Sequence, residues 1–305
     1  MKIGIIGAGA SGLIAAITAA KDGADVTLIE KKDRIGKKIL ATGNGKCNFT
    51  NISMHMFDFR SQKGNAYIDY ISQFNEYDVI SLFQDMGMLI KNRNGYYYPR
   101  SEQASTLLDI LRLQIKNLNI LVLTEKYPIS IQKKKKNFEL ILNTNEKKYF
   151  DRIIIASGSF AGEKTRDEYT GYSYAKSLGH TLVPVVPALV QVRAKGKEFK
   201  SISGVRCDSD ISLYINKELV TEEFGELQIT DYGISGIPVF QLSRYVSYGI
   251  YEKKKVTAEI DFLPEYGMGK WVEIVKDKWN VIFVSLDAFK DVNDEMRGPG
   301  SYDRV

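Results

Sequence analysis

Residues 2–30 constrain this chain more than any other stretch. Lys2–Ile6 is a short apolar run ending at Gly7, Ser11–Lys21 is rich in Ala, Leu and Ile and stops near Gly23, and Asp25–Glu30 is a second apolar run. Short apolar runs bounded by turn residues read as buried parallel strands, and the stretch between them as a crossover helix. Together they make one βαβ unit in about 30 residues, which commits the first part of the chain to a Rossmann-type α/β sheet. Residues 3–20 carry no charge and follow Lys2, which superficially resembles a membrane span or a signal peptide. Gly4, Gly7, Gly9 and Gly12 interrupt that run, so a buried βα unit is the expectation.

The turn between the first strand and the helix reads Gly7-Ala8-Gly9-Ala10-Ser11-Gly12, a GxGxxG pattern. Alone the pattern is weak, but here it follows a strand and opens a helix. Gly7 permits the tight turn, Gly9 lets a pyrophosphate approach the backbone, and Gly12 lets the helix pack closely on the sheet. The free N–H groups at the helix start then hold phosphates. Glu30 ends the second strand, where an acid accepts hydrogen bonds from ribose hydroxyls and repels a 2′-phosphate. The site is therefore expected to take FAD or NAD rather than NADP.

A second glycine-rich loop follows at 36–51, reading GKKILATGNGKCNFTN. Its closely spaced glycines, basic residues and amide donors suit wrapping an extended anionic ligand. This loop resembles that of the BaiN/YhiN-like flavoproteins (the aminoacetone oxidase family, or NAD(P)/FAD-dependent oxidoreductases), with Thr42 for the usual Ser and Lys46 for the usual Arg. The likeness continues through Gly95–Arg100 (with Tyr96 for the usual Arg), Ala156–Ser159, Gly171–His180, Pro187–Val190, Gly225–Leu227 and Gly233–Pro238, reaching about Pro264. The resemblance implies FAD held by Gly7, Ala8, Gly9, Ala10, Ser11, Gly12, Glu30, Lys31, Lys38, Thr42, Gly43, Asn44, Gly45, Lys46, Cys47 and Asn48. It further implies Pro128 and Ile129 beside the adenine, and Ala156, Ser157 and Gly158 near the pyrophosphate. It implies an FAD-dependent oxidoreductase that moves a hydride between flavin and a small organic substrate, by reduction of an enone or steroid-like compound or by amine oxidation. NAD(P)H is a candidate electron donor, and no catalytic residue is assigned. The alternatives are an FAD-binding but catalytically impaired truncated member, or a nucleic-acid-linked flavoprotein.

The rest of the chain divides into a Rossmann-like FAD-binding domain at 1–188, a β-rich, barrel-like substrate or cap domain at 189–265, and a short, partly helical tail at 266–305. Helices are expected at 67–86 and 105–118, and one at Ser235–Ser247 with Ser235 as its cap and Pro238 in its first turn. Strands are expected at 120–123, 129–131, 138–142 and 152–157, then at 189–193, 202–206, 211–214, 226–229 and 256–262. The tail, with Trp271 and Trp279, does not resemble the family's closing FAD segment and reads as a truncation or an unrelated end.

Lys133–Lys136 invite a nucleic-acid or lipid reading, but a solvated hairpin tip between two strands is the plainer one. A net charge of +5 is mild for 305 residues, so nucleic acid and membrane partners are not expected and a small molecule is. Cys47 and Cys207 form no CxxC pair, which argues against a dithiol shuttle and fits a reducing cytoplasm. Cys47 is expected to pack or to touch the flavin rather than to act as a redox thiol. With only His55 and His180, no metal site is expected. Oligomeric state is open.

Overall fold

The computed structural model describes residues 1–55, 58, 59, 61, 64, 67–159, 170–196, 198–266 and 282–286. The described residues divide into two compact units, one within Met1–Leu182 and one within Val183–Gly298.

In the first unit, β1 (Lys2–Ile6), α1 (Ala10–Lys21) and β2 (Asp25–Ile29) form the expected crossover. β1 pairs in parallel with β2 on one side and with β10 (Arg152–Ile155) on the other, and β2 pairs in parallel with β6 (Leu121–Leu123). The order β10-β1-β2-β6 means that the chain first runs outward from β1 in one direction and later returns to its other side. The crevice at the carboxyl end of β1 is therefore a switch point, where open α/β sheets bind ligands. The sheet is held by α1 and by α4 (Ala104–Asn117), whose Leu107, Leu108, Leu111 and Ile115 recur at helical spacing and are buried.

Two small antiparallel sheets complete this unit. One has the order β3-β5-β4, from β3 (Thr50–Asn51), β4 (Ile90–Arg93) and β5 (Tyr96–Pro99). The other has the order β7-β8-β9, from β7 (Pro128–Lys133), β8 (Phe138–Leu142) and β9 (Lys147–Phe150). Lys133–Lys136 lie at the β7–β8 turn, and Lys134 Nζ donates to Gln132 Oε1 and is 3.3 Å from a Glu139 oxygen. The single helical stretch expected at 67–86 is broken into α2 (Ile68–Ile71) and α3 (Glu76–Asp85). The cause is local: Asn75 accepts N–H bonds from Tyr77 and Asp78, and Asp78 accepts the Asn75 N–H, a reciprocal cap that starts a new helix. α5 (Gly171–Ser177) begins with a similar box between Thr170 and Ser173.

The second unit is β-rich, as expected. Its strands β11 (Val192–Arg193), β12 (Arg206–Ile215), β13 (Glu218–Thr230), β14 (Gly233–Gly236), β15 (Val256–Asp261) and β16 (Ile282–Leu286) form one antiparallel sheet in the order β11-β14-β13-β12-β15-β16. α6 (Ile237–Tyr251) covers one face through Leu242 and Val246, packed with Ile211, Leu213, Leu227 and Ile229. The strands expected at 189–193 and 202–206 shrink to Val192–Arg193 and to the first residue of β12. β13 is far longer than expected, because residues 218–225 bury no apolar side: Leu219, Val220 and Phe224 are exposed among Glu218 and Glu222, so no in–out alternation marks the strand. Ser235 does not cap α6. It lies in β14 opposite Gln228, and Gly236 stands at the helix start with Pro238 in the first turn. The expected helical tail lies outside the described residues, apart from Tyr266 at the end of a short 3-10 turn and β16.

Candidate functional site

The glycine-rich turn sits at the switch point. The Gly7 N–H donates to Ile29 O at 2.8 Å, and the Ala156 N–H donates to Ile6 O at 2.8 Å, so β1, β2 and the end of β10 converge on it. A Cβ on Gly12 would lie 1.9 Å from Gly7 O, and one on Gly7 would lie 2.5 Å from Ala156 O. These two glycines let helix and strand backbones touch. Gly9 differs, because a Cβ there would meet nothing within 4 Å.

That open space lies at the N-terminus of α1. Gly9 is the N-cap residue and supplies no side-chain cap, and no acid occupies the first turn. The first helical hydrogen bond is donated by the Leu13 N–H to Gly9 O at 3.0 Å. The N–H groups of Ala10, Ser11 and Gly12 thus precede the helical ladder, and they form the positive end of the helix dipole. Backbone donors beside open space are the arrangement that accepts a phosphate.

Glu30, one residue past β2, ties the turn together. Its Oε2 accepts the Ala8 N–H at 2.7 Å and its Oε1 accepts the Lys32 N–H at 2.8 Å. A carboxylate has about four acceptor positions, so both oxygens keep capacity for hydroxyl donors. Lys31 Nζ lies 5.1 Å over the Tyr127 ring, and the Lys126 N–H donates to Glu30 O. The start of β7 is fixed by the Tyr174 hydroxyl, which donates to Pro128 O at 2.8 Å. Pro128 is buried there, while Ile129 is exposed.

The second loop is bound to the first, since the Gly36 N–H donates to Ala8 O at 2.8 Å. Residues Ile39–Gly45 wind into a 3-10 helix, with Thr42 Oγ1 donating to Ile39 O and the Cys47 N–H to Thr42 O. Asn44, Gly45 and Cys47 all have positive φ, which turns the chain sharply around the exposed Thr42, Asn44, Lys46 and Asn48. Lys38 is exposed as well. The Asn48 amide donates to Thr50 O and Tyr97 O, anchoring the loop to β5. Cys47 is 7% exposed and belongs to the core of this unit, so its thiol packs. Ala156, Ser157 and Gly158 follow β10 beside Gly7, and Gly158 has φ 78°.

Sequence reading named these positions but missed their supports. Tyr127 and Tyr174 carry no motif signal. Glu102 is another: it binds Lys91 at 2.7 Å and Arg93 at 2.9 Å. The hydrogen bond from Lys91 holds its carboxyl below the usual range, helped by the charges of Arg93, Lys91 and the loop's Lys46, against a smaller opposing effect of burial. Only Gly36, inside the quoted loop, was open to recognition from sequence. Among the described residues no three of His, Cys, Asp and Glu gather as a metal site, and no helix is long and apolar enough to cross a membrane.

Comparison with known proteins places the chain among relatives. The chain is 41% identical over 266 residues to a 3-dehydro-bile acid delta(4,6)-reductase of Clostridium scindens, covering 87% of this chain and 65% of that one. It is 26% identical over 277 residues to a ribosomal RNA dihydrouridine synthase of Haemophilus influenzae, covering 89% and 67%, and 26% identical over 260 residues to the same-named protein of Escherichia coli, covering 84% and 64%. The chain thus spans 64–67% of the length of these relatives, less than two thirds of the first and the third. The HI0933-like protein Rossmann domain matches residues 1–257, and this chain belongs to that family.

Proposed function

We propose that the chain is the FAD-holding part of an oxidoreductase that reduces a carbon–carbon double bond of a small alicyclic substrate. The observation that carries this reading is the uncapped N-terminus of α1, with open space over Gly9 and the Glu30 carboxylate one strand away. FAD fits this donor set: the N–H groups of Ala10, Ser11 and Gly12 would hold its diphosphate, Glu30 its ribose hydroxyls, and the exposed side of the 42–48 loop would wrap the remainder. Lys31, Pro128 and Ile129 would lie by the adenine. Bound FAD would supply a ring able to accept and release a hydride.

The division of labour in this reading places nucleotide binding in 1–188 and a substrate cap in 189–265. Reduction rather than amine oxidation is favoured by the name of the 41% identical relative. NAD(P)H is the donor proposed to reload the flavin. Glu30 is set against NADP in the α1 cradle, so a pyridine nucleotide would have to bind elsewhere or transiently. Adding FAD to the purified protein and dialysing it tests the reading: a retained flavin spectrum, bleached by NADH or NADPH and restored by an enone, is the expected result. Loss of all flavin on dialysis would count against it.

A second reading, contact with RNA, is favoured by the exposed Lys133, Lys135 and Lys136 of the β7–β8 turn together with the names of the 26% identical relatives. Salt-sensitive binding of a ribosomal RNA fragment, lost when Lys133–Lys136 are replaced by serine, would carry it.

A further inference from the structure

β7 breaks its own alternation in its first three residues. Pro128 pairs with Leu142 and Ser130 with Ile141, so Ile129 is one residue more than β8 supplies, a β-bulge. Burial shows what the extra residue does. Ile131 is buried, and strict alternation from it would bury Ile129 and expose Pro128. The reverse is found: Pro128 is buried and Ile129 is 38% exposed. The bulge also follows directly on the stretch bonded to the glycine-rich cradle, since the Lys126 N–H donates to Glu30 O at 2.9 Å. A bulge re-aims a side chain at the cost of a local break in the ladder, so other contacts must hold the strand there.

Two side chains supply those contacts. Asn143 Oδ1 accepts the Tyr127 N–H at 3.2 Å, and Asn143 Nδ2 donates to Glu125 O at 3.2 Å. From the core, the Tyr174 hydroxyl donates to Pro128 O at 2.8 Å, and its ring packs with Ile131, Leu140 and Leu142. Pro128 has no N–H, so this carbonyl is its one main-chain hydrogen-bonding group. Tyr174 is in turn placed by α5, whose start is fixed by the Thr170–Ser173 box and by close packing: a Cβ on Gly171 would lie 2.9 Å from Ser157 Oγ. α5 thus bears on the turn after β10 through Gly171 and on the bulge, one helical turn later, through Tyr174. Without the hydroxyl, the buried carbonyl loses its partner. The strand can relieve that cost by slipping toward regular pairing, which turns Ile129 away.

We infer that Tyr174 is a positioning residue for the base of the nucleotide: by holding the Pro128 carbonyl it keeps the bulge that offers the Ile129 side chain to a purine ring. The inference rests on the proposed FAD site and adds how that site tells one base from another. The α1 amides and Glu30 meet phosphates and ribose, which every nucleoside diphosphate shares. Ile129 presents apolar area, which rewards the larger ring face. Base preference is therefore the property that Tyr174 controls, and it controls it only through Ile129.

The test is calorimetric titration of the full chain with ADP and with UDP, in wild type, Y174F, I129A and the double variant. Wild type is expected to bind ADP ~10-fold more tightly than UDP. Y174F is expected to lose most of that preference while its UDP affinity stays within about twofold of wild type. The double variant is expected to bind ADP no more weakly than I129A alone, because the hydroxyl acts through Ile129. A purely structural role would instead weaken ADP and UDP together and add to the effect of I129A. That pattern, an unchanged preference in Y174F, or no preference in wild type would overturn the inference. Should Y174F fail to fold, I129A still decides, since its altered side chain is exposed: an unchanged preference there overturns the inference as well. FAD retention, read on the same samples, separates the two claims. Wild type that keeps FAD while the variants keep its base preference loses only this inference, and wild type that takes up neither FAD nor ADP loses the proposed function and this inference with it.

Discussion

α1 and α6 both begin at a glycine with no side-chain cap, yet the two glycines do opposite things. At Gly9 the added Cβ meets nothing within 4 Å and φ is −78°, an ordinary value for any residue. At Gly236 it would lie 2.3 Å from Glu226 O, and φ is 108°, where side chains are strained. Pro238 also removes one N–H from the first turn of α6. One helix start is left open to a ligand. The other is closed by a neighbouring strand. A glycine before a helix therefore says nothing about binding until the space above it is known.

The largest effects are expected where a side chain has no room. Gly12→Ala forces a Cβ into Gly7 O, and Gly236→Ala combines a clash with a strained φ, so each should destabilise its own unit by roughly 3 kcal/mol or more. Thermal unfolding followed by circular dichroism would read both. Survival of either variant with wild-type stability would break the contrast drawn above. A smaller but sharper effect is expected at Gly9→Ala, which should unfold within about 1 kcal/mol of wild type while FAD affinity falls at least ~10-fold, since only the ligand needs that space.

Glu30→Gln comes next. It keeps one acceptor but loses the charge on the bonds from Ala8 and Lys32, and should weaken FAD by about 1.5–3 kcal/mol, measured by flavin fluorescence titration. The smallest effect concerns pH. Glu102 has a folded pKa below its unfolded one, so its pairing contributes stability above the unfolded value and loses it as pH falls through the folded value. Glu102→Gln should flatten that part of the acid limb of urea midpoints against pH. An unchanged limb would show that the pairing of Glu102 with Lys91 and Arg93 adds nothing measurable to stability.

The first unit was legible because its signals are local. The strand, GxGxxG and Ala-rich helix occupy thirty consecutive residues, and each glycine has a steric reason visible within that span. The break at Asn75 was not read, because apolar spacing continues across it while a short polar cap decides the boundary. The supports of the site were hidden for another reason. Tyr174 and Pro128 are 46 residues apart, and only the fold brings the hydroxyl to the carbonyl. In the second unit, the exposed side of β13 mixes Glu218, Glu222 and Glu226 with Val220 and Phe224, so polar and apolar residues do not alternate cleanly.

The central claim is that backbone amides at the start of α1 grip the diphosphate of FAD. Titrating wild type and Gly9→Ala side by side with FAD, with ADP as competitor, tests it most directly. The expected result is saturable uptake of one FAD per chain by wild type, displaced by ADP, and a clear loss of affinity in a variant that remains folded. Equal FAD binding by both proteins, or indifference to ADP, would contradict it.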